Sequence, residues 1–105
     1  MAEVFISYAF KDRNFVRKMH EALEKQERDT WIDWKDIPPT AEWWKEILTA
    51  IEAADSFVFV ISPESAASAT CREEVAEAMK NNKKIIPVVR RKVSPKDLPP
   101  PLADI

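Results

Sequence analysis

The spacing of hydrophobic and polar positions along this chain changes several times, and each change marks an element. Residues 3–8 (EVFISY) form a short, almost continuous apolar run, as expected of a strand buried on both faces. Phe15, Met19 and Leu23, with Val16 beside them, recur at helical spacing to about Gln26, and Asp12 is the expected N-cap. The charges between them (Arg17, Lys18, Glu21, Glu24, Lys25) read as a solvated face, with His20 at the surface or boundary. Residues 29–33 (DTWID) form a second strand, and Pro38-Pro39 stiffen the loop after it. Thr40 caps a second helix in which Trp44, Ile47, Leu48 and Ile51 keep helical spacing and Trp43 broadens the buried face.

Residues 56–62 hold the most hydrophobic stretch, FVFVI, which places this strand centrally. A polar, small-residue loop over 63–69 follows, and Thr70 with Glu73 fits the capping-box spacing of a third helix ending near Asn81-Asn82. Residues 84–89 (KIIPVV) form a fourth strand whose proline argues for an outer position. From Arg90 on there is no period and three prolines stand in succession, so residues 1–90 are expected to form the domain and 91–105 an extended tail or loop. Strands alternating with helices over short connections predict an α/β, flavodoxin-like three-layer sandwich: a parallel sheet with helices on both faces.

With a strand order of 2-1-3-4, the topological switch point falls between the first and third strands, where ligands of such sheets bind. That crevice gathers Tyr8 and Phe10, Ser62 and Glu64, and the start of the third helix. On that helix Cys71, Val75, Ala78 and Met79 make the apolar stripe, Glu73 and Glu77 point to solvent, and Glu74 falls on the stripe's flank. Glu74 is therefore a half-inside carboxylate, either complementing the helix N-terminal dipole or serving a ligand.

Composition removes several alternatives. The chain contains no glycine at all, which excludes Gly-rich phosphate loops and leaves tight turns to Asn, Asp, Ser or Pro. At 105 residues and a net charge of −2, it is one domain without the basic footprint of a nucleic-acid binder. No stretch approaches the length of a membrane span, and the opening residues lack the basic and apolar regions expected of a signal peptide. A single cysteine cannot form an internal disulfide and suits a reducing, cytoplasmic setting, and with one histidine beside it the chain lacks the usual ligand set of a zinc site. Cys71 belongs to the buried stripe, with no base in sight to activate it.

Three stretches, in order, resemble the Toll/interleukin-1 receptor (TIR) domain family, particularly its prokaryotic type. VFISYAFKD is similar to the family's first box, TWIDWKDIPPTAEWWKEI to its second strand, BB loop and second helix, and FVFVISPESAASATCREEV to its third strand and the helix bearing its glutamate. The match runs from Glu3 to about Arg90. The fifth strand and last helix have no obvious equivalent, Thr70 stands where an aromatic is frequent, and Pro39 where a glycine is common.

The resemblance implies one of two roles: cleavage of NAD+ at the nicotinamide–ribose bond by self-assembled domains, or non-catalytic recruitment of other TIR domains. In the first, the family glutamate maps to Glu74, NAD+ is substrate, and neither cofactor nor metal is needed. Such modules serve signalling, innate immunity and antiviral defence in microbes. Tyr8 and Phe10 would stack on the substrate or else close the core, and Asp33 would hold the BB loop or touch ligand. Trp34 and Trp43, which bracket the double-proline loop, would cover a ligand or anchor a neighbouring subunit. In the scaffold role, Lys35, Asp36, Ile37, Pro38 and Pro39 make the homotypic contacts. Arg90-Arg91-Lys92 reads as a solvated charge run or a phosphate contact.

Overall fold

The computed structural model describes residues 3–34, 39–99 and 102. Four strands, β1 (Val4–Ser7), β2 (Thr30–Ile32), β3 (Ser56–Ile61) and β4 (Lys84–Val89), form one sheet in the order β2-β1-β3-β4. Every pairing is parallel, with Val4 opposite both Thr30 and Ser56, and Ser56 opposite Lys84. The order is the expected 2-1-3-4. Pro87 lies in edge strand β4, opposite Phe59, where its missing N–H interrupts fewer ladder bonds than in a central strand.

Alternation along the strands divides the core into two layers. Phe5, Phe57, Phe59 and Ile61 face helices α2 (Ala41–Ala53) and α4 (Ala69–Lys80), meeting Ile47, Ile51, Cys71, Val75 and Ala78. Ile6, Val58 and Val60 face the other way, against Val16, Phe15, Met19 and Leu23 of α1 (Arg13–Lys25). The segment after β4 packs onto the first layer through Val93 and Leu98, and Leu102 is 1% exposed within that core.

Some helix boundaries depart from the sequence reading. Asp12 makes no capping bond to α1; it ends a 3-10 turn (Phe10–Asp12) and is buried. The expected loop over 63–69 contains a short helix, α3 (Pro63–Ala67). Ser62 and Ser65 cap it reciprocally, Ser62 N–H donating to Ser65 Oγ at 2.9 Å and Ser65 N–H to Ser62 Oγ at 3.2 Å, with Pro63 at the first helical position. Helix α4 then starts one residue before Thr70 and takes its cap from Ser68, whose Oγ accepts from Cys71 N–H at 3.1 Å; Glu73 is left exposed rather than boxed. Met79, expected on the apolar stripe, is 43% exposed, because the drift of a 3.6-residue period carries it past the sheet.

The glycine-free turns carry a cost at one site. Both α1 and α4 end in a Schellman pattern: Glu27 N–H to Glu24 O and Arg28 N–H to Leu23 O, Asn82 N–H to Met79 O and Lys83 N–H to Ala78 O. The left-handed residues are Glu27 (φ 59°) and Asn82 (φ 55°). Asparagine tolerates that region, but a glutamate there is sterically strained. Glu27→Gly is expected to stabilise the domain by about 1 kcal/mol in urea unfolding, despite its looser unfolded chain; no change would mean that the backbone at Glu27 is unstrained.

Candidate functional site

The carboxyl ends of β1 and β3 meet the first turns of α4, and Glu74 is the side chain turned into that junction. Its placement follows from helix geometry: Glu74 lies one residue before Val75 and three after Cys71, both buried, so the packed face of α4 carries it inward. It goes further in than its position on the stripe's flank implies, with 6% of its surface exposed. Ser7 Oγ, from the end of β1, donates to Glu74 Oε1 at 2.7 Å in a buried hydrogen bond. Burial pushes the Glu74 carboxyl up to about 7; the Ser7 bond pulls it down, and the charges of Asp33 and Glu73 raise it again.

The flanking groups are linked to one another. Tyr8 OH donates to the Asp33 carbonyl at 2.7 Å, and Trp43 Nε1–H donates to Asp33 Oδ2 at 3.0 Å. Burial raises the Tyr8 phenol above its ordinary value, and the charges of Asp33 and Glu74 raise it further. Trp34 stands edge-on to Tyr8 at 6.0 Å between ring centroids and to His20 at 6.0 Å, with the Arg17 guanidinium 5.9 Å from its ring. Trp34 is 40% exposed, making it the open wall of the group. Trp43, by contrast, stacks on Trp31, which stacks on Phe5, which stacks on Phe57, at 5.8, 5.0 and 5.3 Å. This row of rings runs from the helix α2 side across the sheet and fixes the indole that holds Asp33.

Of the residues singled out from sequence, Glu74, Tyr8, Asp33, Trp34 and Trp43 are thus joined through bonds, ring contacts or mutual charge effects. Phe10 opens the 3-10 turn, its ring 4.5 Å from the Arg13 guanidinium. Lys35, Asp36, Ile37 and Pro38 lie outside the described residues, and Pro39 is half-buried just before the α2 cap. His20 is a boundary residue, its Nδ1 2.6 Å from Thr30 Oγ1 and its Nε2 3.2 Å from Glu24. Cys71 donates its S–H to the Tyr8 carbonyl at 3.4 Å, and burial together with the Glu74 charge lifts the thiol to about 11. A thiol so placed stays protonated and is no nucleophile at neutral pH. Among the described residues, no group of three or more His, Cys, Asp and Glu side chains could hold a metal ion.

Sequence reasoning missed Ser7 as the partner of Glu74; the available signal was a lone hydroxyl ending an otherwise apolar strand. It also missed a second polar group beside the crevice. Buried Asp12 accepts from Ser62 Oγ at 2.5 Å and from Arg91 Nη2 at 2.9 Å, while the same nitrogen of Arg91 also pairs with Glu64. Arg91 is therefore no member of a solvated run: it ties the segment after β4 to the loop after β1 and to α3. Chemically, the Glu74 junction offers one carboxylate, raised in pKa and backed by apolar packing, suited to a developing positive charge or to sugar hydroxyls.

Comparison with known proteins places this geometry in a family. The family model described as TIR domain matches residues 4–105. The TIR domain of the Toll-related receptor TRR-2 from Hydra magnipapillata superposes with a TM-score of 0.77 at 24% identity, over 89% of this chain and 74% of that one. The TIR domains of the activated Roq1 resistosome that recognises the pathogen effector XopQ give 0.73 at 26%, over 91% and 61%. A metazoan TIR-STING receptor from C. gigas gives 0.77 at 28%, over 99% of this chain but 36% of that one. Comparison with curated proteins gives no match. None of the described helices is long and apolar enough to cross a membrane. With nearly its whole length matched and its sheet order that of the expected fold, the chain belongs to the TIR domain family.

Proposed function

We propose that this TIR domain, a signalling module by family, cleaves NAD+ at the nicotinamide–ribose bond when several copies assemble, with Glu74 as its catalytic residue. The observation that carries this reading is the buried Ser7–Glu74 pair at the switch point of the sheet. In the reaction the bond from the ribose anomeric carbon to the pyridinium nitrogen breaks. Its electron pair goes to the nitrogen, so nicotinamide leaves neutral without an acid. Positive charge builds on the ribose, as in glycoside hydrolysis, and an ionised Glu74 beside the ring stabilises it. Water adds to the cation and loses a proton, giving ADP-ribose; attack from within the molecule gives a cyclic product. Tyr8 and the exposed ring of Trp34 form a wall for a flat base, and Asp33, held by Trp43, lies beside it. The cationic nicotinamide ring favours the ionised form of the carboxylate it docks against. Homotypic contacts through residues 35–39 bring the copies together, and no membrane or nucleic acid is required.

The test is NAD+ turnover by the purified domain across a wide range of protein concentration, beside Glu74→Ala. Turnover that rises faster than linearly with concentration and is lost in Glu74→Ala is the expected result. Equal turnover in both proteins would remove Glu74 from the reaction. Assembly without turnover in either would favour the scaffold reading, in which the same residues serve TIR–TIR recruitment alone.

The pH dependence is a separate check. Since the ionised carboxylate is the working form and burial holds its pKa up to about 7, kcat/KM should fall on the acid side of pH 7. Ser7→Ala removes the hydrogen bond that favours the ionised form, so its acid limb should move to higher pH. A limb near pH 4.5 in both proteins would show a solvated carboxylate.

A further inference from the structure

A cavity lies away from Glu74, and none of Ser7, Tyr8, Asp33, Trp34 and Trp43 lines it. It has a volume of about 460 Å³ and opens between α3, the first turn of α4 and the segment after β4, a size within the range of small-molecule sites. Its charged walls are Arg72, Lys92 and Asp97, with the Ser94 hydroxyl beside them and Ala66 and Val93 as apolar surface.

Arg72 and Lys92 are disposed differently from Arg91. Arg91 is neutralised by Asp12 and Glu64. Lys92 makes no ion pair among the described residues, and it lines the cavity as an exposed residue. Arg72 donates through Nε to the Ala66 carbonyl at 2.8 Å and through Nη2 to the Asp97 carbonyl at 2.6 Å. Both acceptors are neutral, so the guanidinium keeps its full charge while its plane is fixed, and Nη1 has no partner among the described residues. A fixed fork loses less side-chain freedom when it meets an oxyanion. Asp97 leaves its carboxylate unpaired among the described residues and exposed at the same cavity. That carboxylate repels a bare phosphate, yet it is a good acceptor for neighbouring hydroxyls.

We infer that this cavity binds a sugar phosphate, with Arg72, Lys92 and Ser94 on the phosphate and Asp97 on the sugar hydroxyls. Two cations facing one carboxylate match a phosphomonoester whose other end is an uncharged polyol, and Ala66 and Val93 pack against the sugar's carbon face. The site stands independently of NAD+ cleavage, since none of its residues belongs to the Glu74 junction.

Titration of the isotope-labelled domain with ribose 5-phosphate, inorganic phosphate and ribose, followed through backbone amide shifts, tests it. Ribose 5-phosphate should shift Val93, Ser94 and Asp97 saturably and bind more tightly than either fragment. Lys92→Gln, an exposed change that spares the Arg72 brace, should weaken it about tenfold, the loss of one charge-assisted contact. Asp97→Asn should weaken ribose 5-phosphate while leaving phosphate unchanged or tighter. Absence of saturable shifts up to about 10 mM, shifts centred elsewhere, or an unaltered affinity in Lys92→Gln would overturn the site. Phosphate binding as tightly as ribose 5-phosphate would overturn the sugar assignment.

Discussion

At pH 8 the Glu74→Gln protein is expected to be more stable than the parent by about 2–3 kcal/mol, and the gain should fade as the pH is lowered towards 4.5. The ordinary carboxyl value is 4.5 and the folded one about 7. Between these two values the native state holds more protons than the unfolded chain, so stability falls as pH rises through that window. Above about 7 both states are ionised and the burial penalty is present in full, on the order of 3 kcal/mol. Glutamine is neutral throughout and still accepts from Ser7 Oγ, although its amide N–H groups need partners of their own, which trims the gain. For a domain of this size the melting temperature at pH 8 should rise by roughly 10–20 °C. Equal gains at pH 5 and pH 8 would mean that ionisation is not what burial penalises. A buried acid kept at such a cost is typical of residues retained for activity, so under the proposed NAD+ cleavage the variant should be both more stable and inert.

Asp12→Ala should act in the opposite direction, destabilising the domain by about 2–4 kcal/mol. Asp12 has a side chain 3% exposed and accepts from both Ser62 and Arg91. Its removal leaves the fully buried Ser62 hydroxyl without that acceptor and deletes two charge-assisted bonds. Asp12→Asn keeps an acceptor for Ser62 and should lose distinctly less. The check is the urea midpoint of each protein at unchanged m-value. Similar losses in Ala and Asn would show that the charge, rather than the acceptor geometry, holds this group together.

The architecture was legible because it rests on periodicity. Short apolar runs gave the four strands, the helical stripes gave the three long helices, and the proline in KIIPVV put β4 at the edge, where it lies. The family was legible in the order of three motifs, which the match over residues 4–105 bears out. What escaped depends on contacts between residues far apart in sequence. A helical wheel places Glu74 on a flank, but its depth is set by Ser7 arriving from β1. Asp12, at the foot of a helix, looks like a cap until Ser62 and Arg91 are brought to it from the ends of β3 and β4. Helix α3 is too short to show a period, and its local sign was the capping serines around Pro63. Glu27 in the left-handed region had no sign at all, since nothing in a glutamate announces a turn.

The all-parallel sheet also shapes how the chain comes to be folded. No two neighbouring strands can be joined by a hairpin, so each ladder forms only after a loop containing a helix has closed. β1 can acquire β2 early, yet its other edge stays open until β3, with Ser56 opposite Val4, is free of the ribosome. Until then the chain carries an apolar, half-paired strand, the kind of open edge that makes parallel sheets slow to form and exposed to aggregation while they do.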